Sequence, residues 1–158
     1  IVVSNSSPLI GLAKAGRLKL LRRLYSQILV PPQVDDDVVL QGRGRAGSRA
    51  VENAIHRRWI RVVPIQAQHL IPARFLGTGE GEAIALCLER HADFLIVDDR
   101  AARNESTRLN VQWVTTVGVI RDAKRRGLVR RAKPIFDQMI AHGFGIADYD
   151  AILRAMGE

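Results

Sequence analysis

Side chains that bind hard cations through oxygen recur at turn-like positions along this chain. Asn5-Ser6-Ser7 follows the β-branched run Ile1-Val2-Val3, and Asp35-Asp36-Asp37 follows Pro31-Pro32. Glu80 and Glu82 follow the turn Gly77-Thr78-Gly79, and Asp98-Asp99 directly follow the apolar run Phe94-Leu95-Ile96-Val97. Thr115 and Thr116 follow another apolar run and read as plain strand residues. His56, His69, His91 and His142 show no metal-ligand spacing, and Cys87 sits on the apolar side of a helical pattern. Carboxylates without imidazole or thiolate suit Mg²⁺ and Mn²⁺. Ions held in this way activate water and clamp the charge of a phosphodiester. Each acid also has a plainer use. Asp98 and Asp99 suit the N-cap of a following helix. Asp35 to Asp37, Glu80 and Glu82 suit the first turn of a helix, where the macrodipole favours negative charge. The set, rather than any member, points to chemistry.

Positioning such a set requires strands that end at one edge of a sheet. Short apolar runs predict strands at 1–3, 27–30, 59–63, 94–97 and 111–114. Between them, 3.6-residue periodicity predicts helices after Pro8, over 17–24, 34–40, 51–55, 80–90, 101–109, 119–126 and 134–142, and from about 150. Residues 66–76 suggest a short helix broken at Pro72, and 41–48 a Gly/Arg-rich loop. The run at 94–97 is apolar on both faces, as in a parallel sheet covered by helices. Strands alternating with helices predict an α/β domain with a mainly parallel sheet, whose sites lie at the carboxyl ends of the strands.

The chain has 158 residues, a length that fits a single domain over 1–158. One cysteine excludes an internal disulfide framework and fits a reducing, cytoplasmic setting. The start, Ile1-Val2-Val3-Ser4, is short and uncharged, unlike a secretory signal, and no run is long enough for a membrane span. The net charge of +8 favours a polyanion, with nucleic acid ahead of a membrane surface. Arginines cluster twice. Arg43, Arg45 and Arg49 lie in and beside the Gly-rich loop, and Arg125 and Arg126 lie in a basic stretch that runs from Arg121 to Lys133. These are candidate contacts to an RNA backbone. Aromatic residues make up only 5%, so base stacking does not dominate. The stretch Gly42-Arg-Gly44-Arg-Ala-Gly47 matches a dinucleotide fingerprint in form, but it does not follow a strand in a first βα unit.

Taken in order, four stretches resemble the PIN-domain family of metal-dependent ribonucleases, most closely its VapC-like toxin branch. They are Ile-Val-Val-Ser-Asn-Ser-Ser-Pro-Leu-Ile at 1–10, Val-Pro-Pro-Gln-Val-Asp-Asp-Asp-Val at 30–38, Leu-Gly-Thr-Gly-Glu-Gly-Glu-Ala-Ile-Ala-Leu at 76–86, and Phe-Leu-Ile-Val-Asp-Asp-Arg-Ala-Ala-Arg at 94–103. The resemblance implies a three-layer α/β/α fold and an acidic pocket holding Mg²⁺ or Mn²⁺. It carries the family's first acid onto Asn5, with Ser7 two places on, and the second onto Asp37. The third falls on Glu82 with Glu80 as competitor, and the fourth on Asp99 with Asp98 adjacent. Asn5 stands where the family usually has Asp, and Asp37 is one methylene shorter than the usual Glu. An amide oxygen still ligates hard cations.

The reading that follows is a metal-dependent endoribonuclease whose cleavage is lost on Asp99→Ala. Its partners by resemblance are RNA, a small antitoxin protein and a second copy of the chain. Two other readings compete. One is a PIN-like module with degenerate chemistry that binds RNA or protein. The other is a phosphoacceptor domain, which is weakened by Asn5-Ser6 standing where its acid pair belongs.

Overall fold

The computed structural model describes residues 1–158. Five strands form one all-parallel sheet in the order β3-β2-β1-β4-β5. They are β1 (Val2–Ser4), β2 (Ile28–Val30), β3 (Ile60–Val62), β4 (Phe94–Ile96) and β5 (Trp113–Val114). Helices α1 (Ser6–Lys14) and α2 (Lys19–Tyr25) join β1 to β2, and α3 (Pro32–Asp35) and α4 (Ser48–His56) join β2 to β3. α5 (Gly79–Arg90) leads to β4, and α6 (Arg100–Arg108) leads to β5. α7 (Thr116–Arg125), α8 (Lys133–Ala141) and α9 (Tyr149–Ala155) follow.

The strands are apolar on both faces because both faces are covered. Side chains alternate across a strand. Val2, Ile28, Val30, Ile60 and Ile96 therefore pack with Leu9 and Leu12 of α1, Leu21 of α2, Ile120 of α7 and Phe136 of α8. Val3, Leu29, Leu95 and Val97 pack in a second core with Ile84 and Leu86 of α5 and Ala102 of α6. Two cores around one sheet make three layers, as predicted. Each fully buried Leu, Ile or Phe contributes about 1.5–3 kcal/mol.

The strand order fixes where a site can form. From β1 the chain steps outward through β2 and β3, then returns to β4 on the other side of β1 and steps out again to β5. Right-handed crossovers then place the two sets of helices on opposite faces. A crevice opens at the carboxyl ends of β1 and β4, where the winding reverses. Asn5 stands there, its N–H bonded to the Ile96 carbonyl at 3.1 Å.

Local details depart from the sequence pattern for identifiable reasons. The helix predicted over 34–40 starts at Pro32, whose fixed φ suits the first helical position. It then widens into a π-helical turn, Asp36–Leu40, that contains Asp37. Such widened turns gather at functional sites. Residues 66–76 hold two 3₁₀ turns, Gln68–Leu70 and Ala73–Phe75, rather than one broken helix. The second is locked to α5, because a Cβ at Gly81 would stand 2.4 Å from the Phe75 carbonyl oxygen.

Candidate active site

The site is assembled by the starts of three helices. Asn5 caps α1: its Oδ1 accepts from the Ser6 N–H at 2.6 Å, and the residue is only 2% exposed. Its Nδ2 donates to Glu80 Oε1, in the first turn of α5, at 3.4 Å. The Ser6 hydroxyl donates to Asp37 Oδ2 at 3.5 Å, and the Gln33 side-chain amide donates to Asp37 Oδ1 at 2.8 Å. Asp37 and Glu80, with Ser6, Ser7, Lys14 and His142, line one hollow of about 330 Å³.

The other acids face elsewhere. Glu82 Oε2 accepts from the Gln33 backbone N–H at 3.1 Å, so it braces α3, and Gln33 in turn holds Asp37. Asp99 caps α6, accepting from the Ala102 N–H at 2.8 Å. Asp98 turns to the start of α7, where its two oxygens accept from the Thr116 N–H at 2.8 Å and the Thr116 hydroxyl at 2.6 Å. Burial raises the Asp98 pKa above the ordinary carboxylate value, and the Thr116 bonds oppose that shift. Asp36 is held by Gln41 at 2.9 Å. The structure thus places Ser7, Asp37 and Glu80 on one hollow, with Asn5 behind it and bonded to Glu80, and leaves Glu82, Asp98 and Asp99 outside the hollow's lining.

Three residues of this neighbourhood carried no signal in the sequence. Lys14 closes the last turn of α1, Gln33 sits between prolines and acids, and His142 arrives from the end of α8. Only His142 had been weighed, and it was set aside for lack of metal-ligand spacing. It is exposed and also lines the hollow. Thr116, read as a plain strand residue, is fully buried as the partner of Asp98. Cys87 is in the core, as read, and burial pushes its thiol up to about 12.

No three His, Cys, Asp or Glu side chains converge as a metal shell. A full protein cage is not what Mg²⁺ requires, since it is usually held by one or two carboxylates with water and substrate phosphates around it. Asp37 and Glu80 with the Asn5 amide oxygen are a donor set of that kind. Gly79 leaves the space between donors open: a Cβ there would stand 3.4 Å from Asp37 Oδ2 and 3.6 Å from Asn5 Oδ1. These residues fit a hard divalent ion.

The two arginine clusters part company. A small hollow of about 100 Å³, lined by Ile10, Lys14, Asp37, Arg45 and Ser48 among others, adjoins the acidic hollow through Ile10, Lys14 and Asp37. It leads through Arg45 and Ser48 to a groove lined by Arg43, Arg49 and Glu52. Arg125 instead lines a hollow with Asp93, Phe94 and Trp113, at the starts of β4 and β5. In a parallel sheet that is the edge opposite the acids.

Among curated proteins no sequence matches the chain. A family model described as DUF3368, a PIN domain, matches residues 1–158. A nuclease-type fold with acids gathered beyond the carboxyl edge of its sheet and a match along its whole length agree with one another: the chain belongs to the PIN-domain family.

Proposed function

We propose that the protein is a Mg²⁺- or Mn²⁺-dependent endoribonuclease and the toxin of a toxin–antitoxin pair, acting in the cytoplasm. The observation that carries the nuclease reading is the convergence of Asp37 and Glu80 on one hollow, continuous with a basic path through Lys14 and Arg45. Asp37, Glu80 and the Asn5 amide oxygen would hold the ion. When bound, the ion supplies an activated water and neutralises charge on the phosphodiester.

The chain's own residues do the rest. Gln33 and Ser6 fix the Asp37 carboxylate from either side. Glu82 fixes Gln33 through its backbone N–H, so it acts as a positioning residue. The Ser7 hydroxyl is exposed at the rim and can donate to a non-bridging phosphate oxygen. Lys14 and Arg45 hold the backbone on one side of the scissile bond, with Arg43 and Arg49 further along the groove. The toxin role, a small antitoxin protein over the acidic hollow, and homodimerisation rest on the family likeness.

The test is cleavage of structured and unstructured RNA with Mn²⁺, with Mg²⁺ and with excess EDTA, beside Asp37→Asn. Cleavage that needs metal and is lost in the variant supports the reading. Equal cleavage in EDTA ends it. Co-expression with the neighbouring reading frame and pull-down tests the antitoxin.

One observation favours the second reading, a PIN-like module that binds RNA without cutting it. The Asn5 amide donates to Glu80, a bond that the usual Asp could not make, so the pocket has a neutral internal donor for one of its acids. If Asn5→Asp creates cleavage in an inert wild type, the natural protein is a binder.

A further inference from the structure

A hollow of about 330 Å³ lies between α2 and α4, away from the acids. Its rim carries Lys19 and Arg22 of α2, Asn53 of α4 and Arg57 at the end of α4, and its floor includes Leu18 and Trp59. We infer that it is a phosphate-binding station for an RNA strand, which it holds beyond the groove of Arg43 and Arg49. The inference rests on RNA as the ligand of the acidic hollow, but not on metal or on cleavage.

Three features carry it. The first is charge without a partner. Lys19, Arg22 and Arg57 are exposed, and none forms an ion pair within the chain. No acid lines the hollow, and α2 carries none. The one acid of α4, Glu52, is turned elsewhere. It lines the groove of Arg43 and Arg49, and its charge helps to raise the pKa of Asp35. Three like charges around one concavity repel one another, and an anion seated among them removes that repulsion. Guanidinium forks match the paired oxygens of a phosphate.

The second is alignment. Arg49, Asn53 and Arg57 stand four residues apart, a spacing that keeps side chains on one side of a helix. The Arg57 N–H bonds to the Asn53 carbonyl at 2.9 Å, so the row continues to the end of α4. At about 1.5 Å per residue the row is about 12 Å long. Arg49 lines the groove that leads from the acidic hollow, while Asn53 and Arg57 line the hollow beside α2. The row therefore joins the two. A track of this length suits linked phosphates rather than a single ion, and its continuity with the groove favours the same RNA strand over an acidic protein.

The third is the floor. Leu18, Ala54 and Trp59 are buried core residues, so the concavity keeps its shape when nothing fills it. Trp59 is 7% exposed and offers no ring for stacking. The station therefore grips the backbone and is indifferent to base sequence.

Fluorescence anisotropy of a labelled single-stranded oligoribonucleotide tests it. The purified chain is titrated in EDTA at several salt concentrations, beside K19Q/R22Q/R57Q and a control of equal net charge, R90Q/R121Q/R130Q. Single strands give about 0.7 in the slope of log K against log salt for each cation engaged, so the first variant should lose about 2. Its affinity at low salt should fall at least tenfold, equally for two unrelated sequences, with the melting temperature unchanged. The control should lose less than half as much slope. Wild-type binding that K19Q/R22Q/R57Q leaves unaltered, or that the control weakens equally, overturns the station and leaves the nuclease reading standing. No RNA binding by the wild type overturns both. Polyglutamate held more tightly than the RNA, and lost in K19Q/R22Q/R57Q, overturns the station in favour of an acidic protein partner.

Discussion

Two pairs of acids meet the carboxyl edge of the same sheet and are used differently. Asp37 and Glu80 face a shared hollow, and the donors that touch them are side chains: Gln33, Ser6 and Asn5. Asp98 and Asp99 face helix starts, and both accept from backbone N–H groups, those of Thr116 and Ala102. The first residues of a helix present N–H groups with no partner inside the helix, and a nearby carboxylate satisfies them. Acids that follow a strand and precede a helix are thus drawn to structural work. Acids carried on the helix itself are free to face outward into a cleft. On this contrast we propose that Asp37 and Glu80 carry the chemistry and that Asp98 and Asp99 support the helix starts.

The largest effect that could break this contrast is on cleavage. Removing one charge, by Asp37→Asn or Glu80→Gln, is expected to lower kcat about 10²–10³-fold, the scale for losing one preorganised electrostatic group. Thermal melting should barely change, since both side chains border open space. Single-turnover kinetics beside a melting curve would show it, and equal losses for Asp98→Asn would erase the distinction.

Thr116→Val should act on stability instead. It leaves the Asp98 oxygen that accepts the hydroxyl without its nearest donor. An unmet buried acceptor costs about 1–3 kcal/mol. For a chain this long each kcal/mol is worth about 2–4 °C in Tm. Asp99→Ala is expected to cost less, about 1 kcal/mol, as the loss of an N-cap. Differential scanning calorimetry separates the two. Metal-dependent cleavage surviving in Asp99→Ala would make Asp99 a brace, and its loss without a change in Tm would make it a ligand.

The pH dependence sharpens the same point. Burial raises the Asp98 pKa above 3.8, so the folded state binds that proton more tightly than the unfolded chain. Its contribution is therefore fully present below the ordinary value and is lost as pH rises through the folded value. The difference in urea midpoint between wild type and Asp98→Asn across the acid range should show this fall, because carboxylates held low elsewhere, Glu158 among them, act with the opposite sign and equally in both proteins.

The smallest effect concerns the arginines. Arg45→Gln removes one cation beside the acidic hollow and should reduce the slope of log K against log salt by about 1 for RNA binding. Arg126→Gln, whose side chain already pairs with Asp122, should leave that slope almost unchanged. Filter binding at several salt concentrations compares them.

Much of this molecule was legible beforehand. Continuous apolar runs alternating with period-3.6 segments were enough for an α/β domain with a mainly parallel sheet, because strands buried on both faces leave no polar alternation, while the three layers were implied by the family resemblance. The positions of the acids after strands and at helix starts were legible for the same reason. Boundaries were less so. The 111–114 run yields only the two-residue β5, and the helix after Pro31 starts earlier and widens at Asp36. Lys14 and Gln33 were silent, and Thr116 read as a plain strand residue, because their roles depend on partners far away in the chain.

What the sequence determined by itself is composition and order: which side chains carry negative charge, which strand or helix holds each, and that the surface carries excess positive charge. Which acid faces the hollow was decided by the tertiary structure. Glu80 and Glu82 lie two residues apart on a helix, about 200° around its axis, so they point to different neighbours. The packing of α5 against α3 turns Glu82 onto the Gln33 backbone, while Glu80 faces Asn5. Asp98 and Asp99 diverge in the same way at the end of a strand, and only the placement of α6 and α7 gives each its N–H partner.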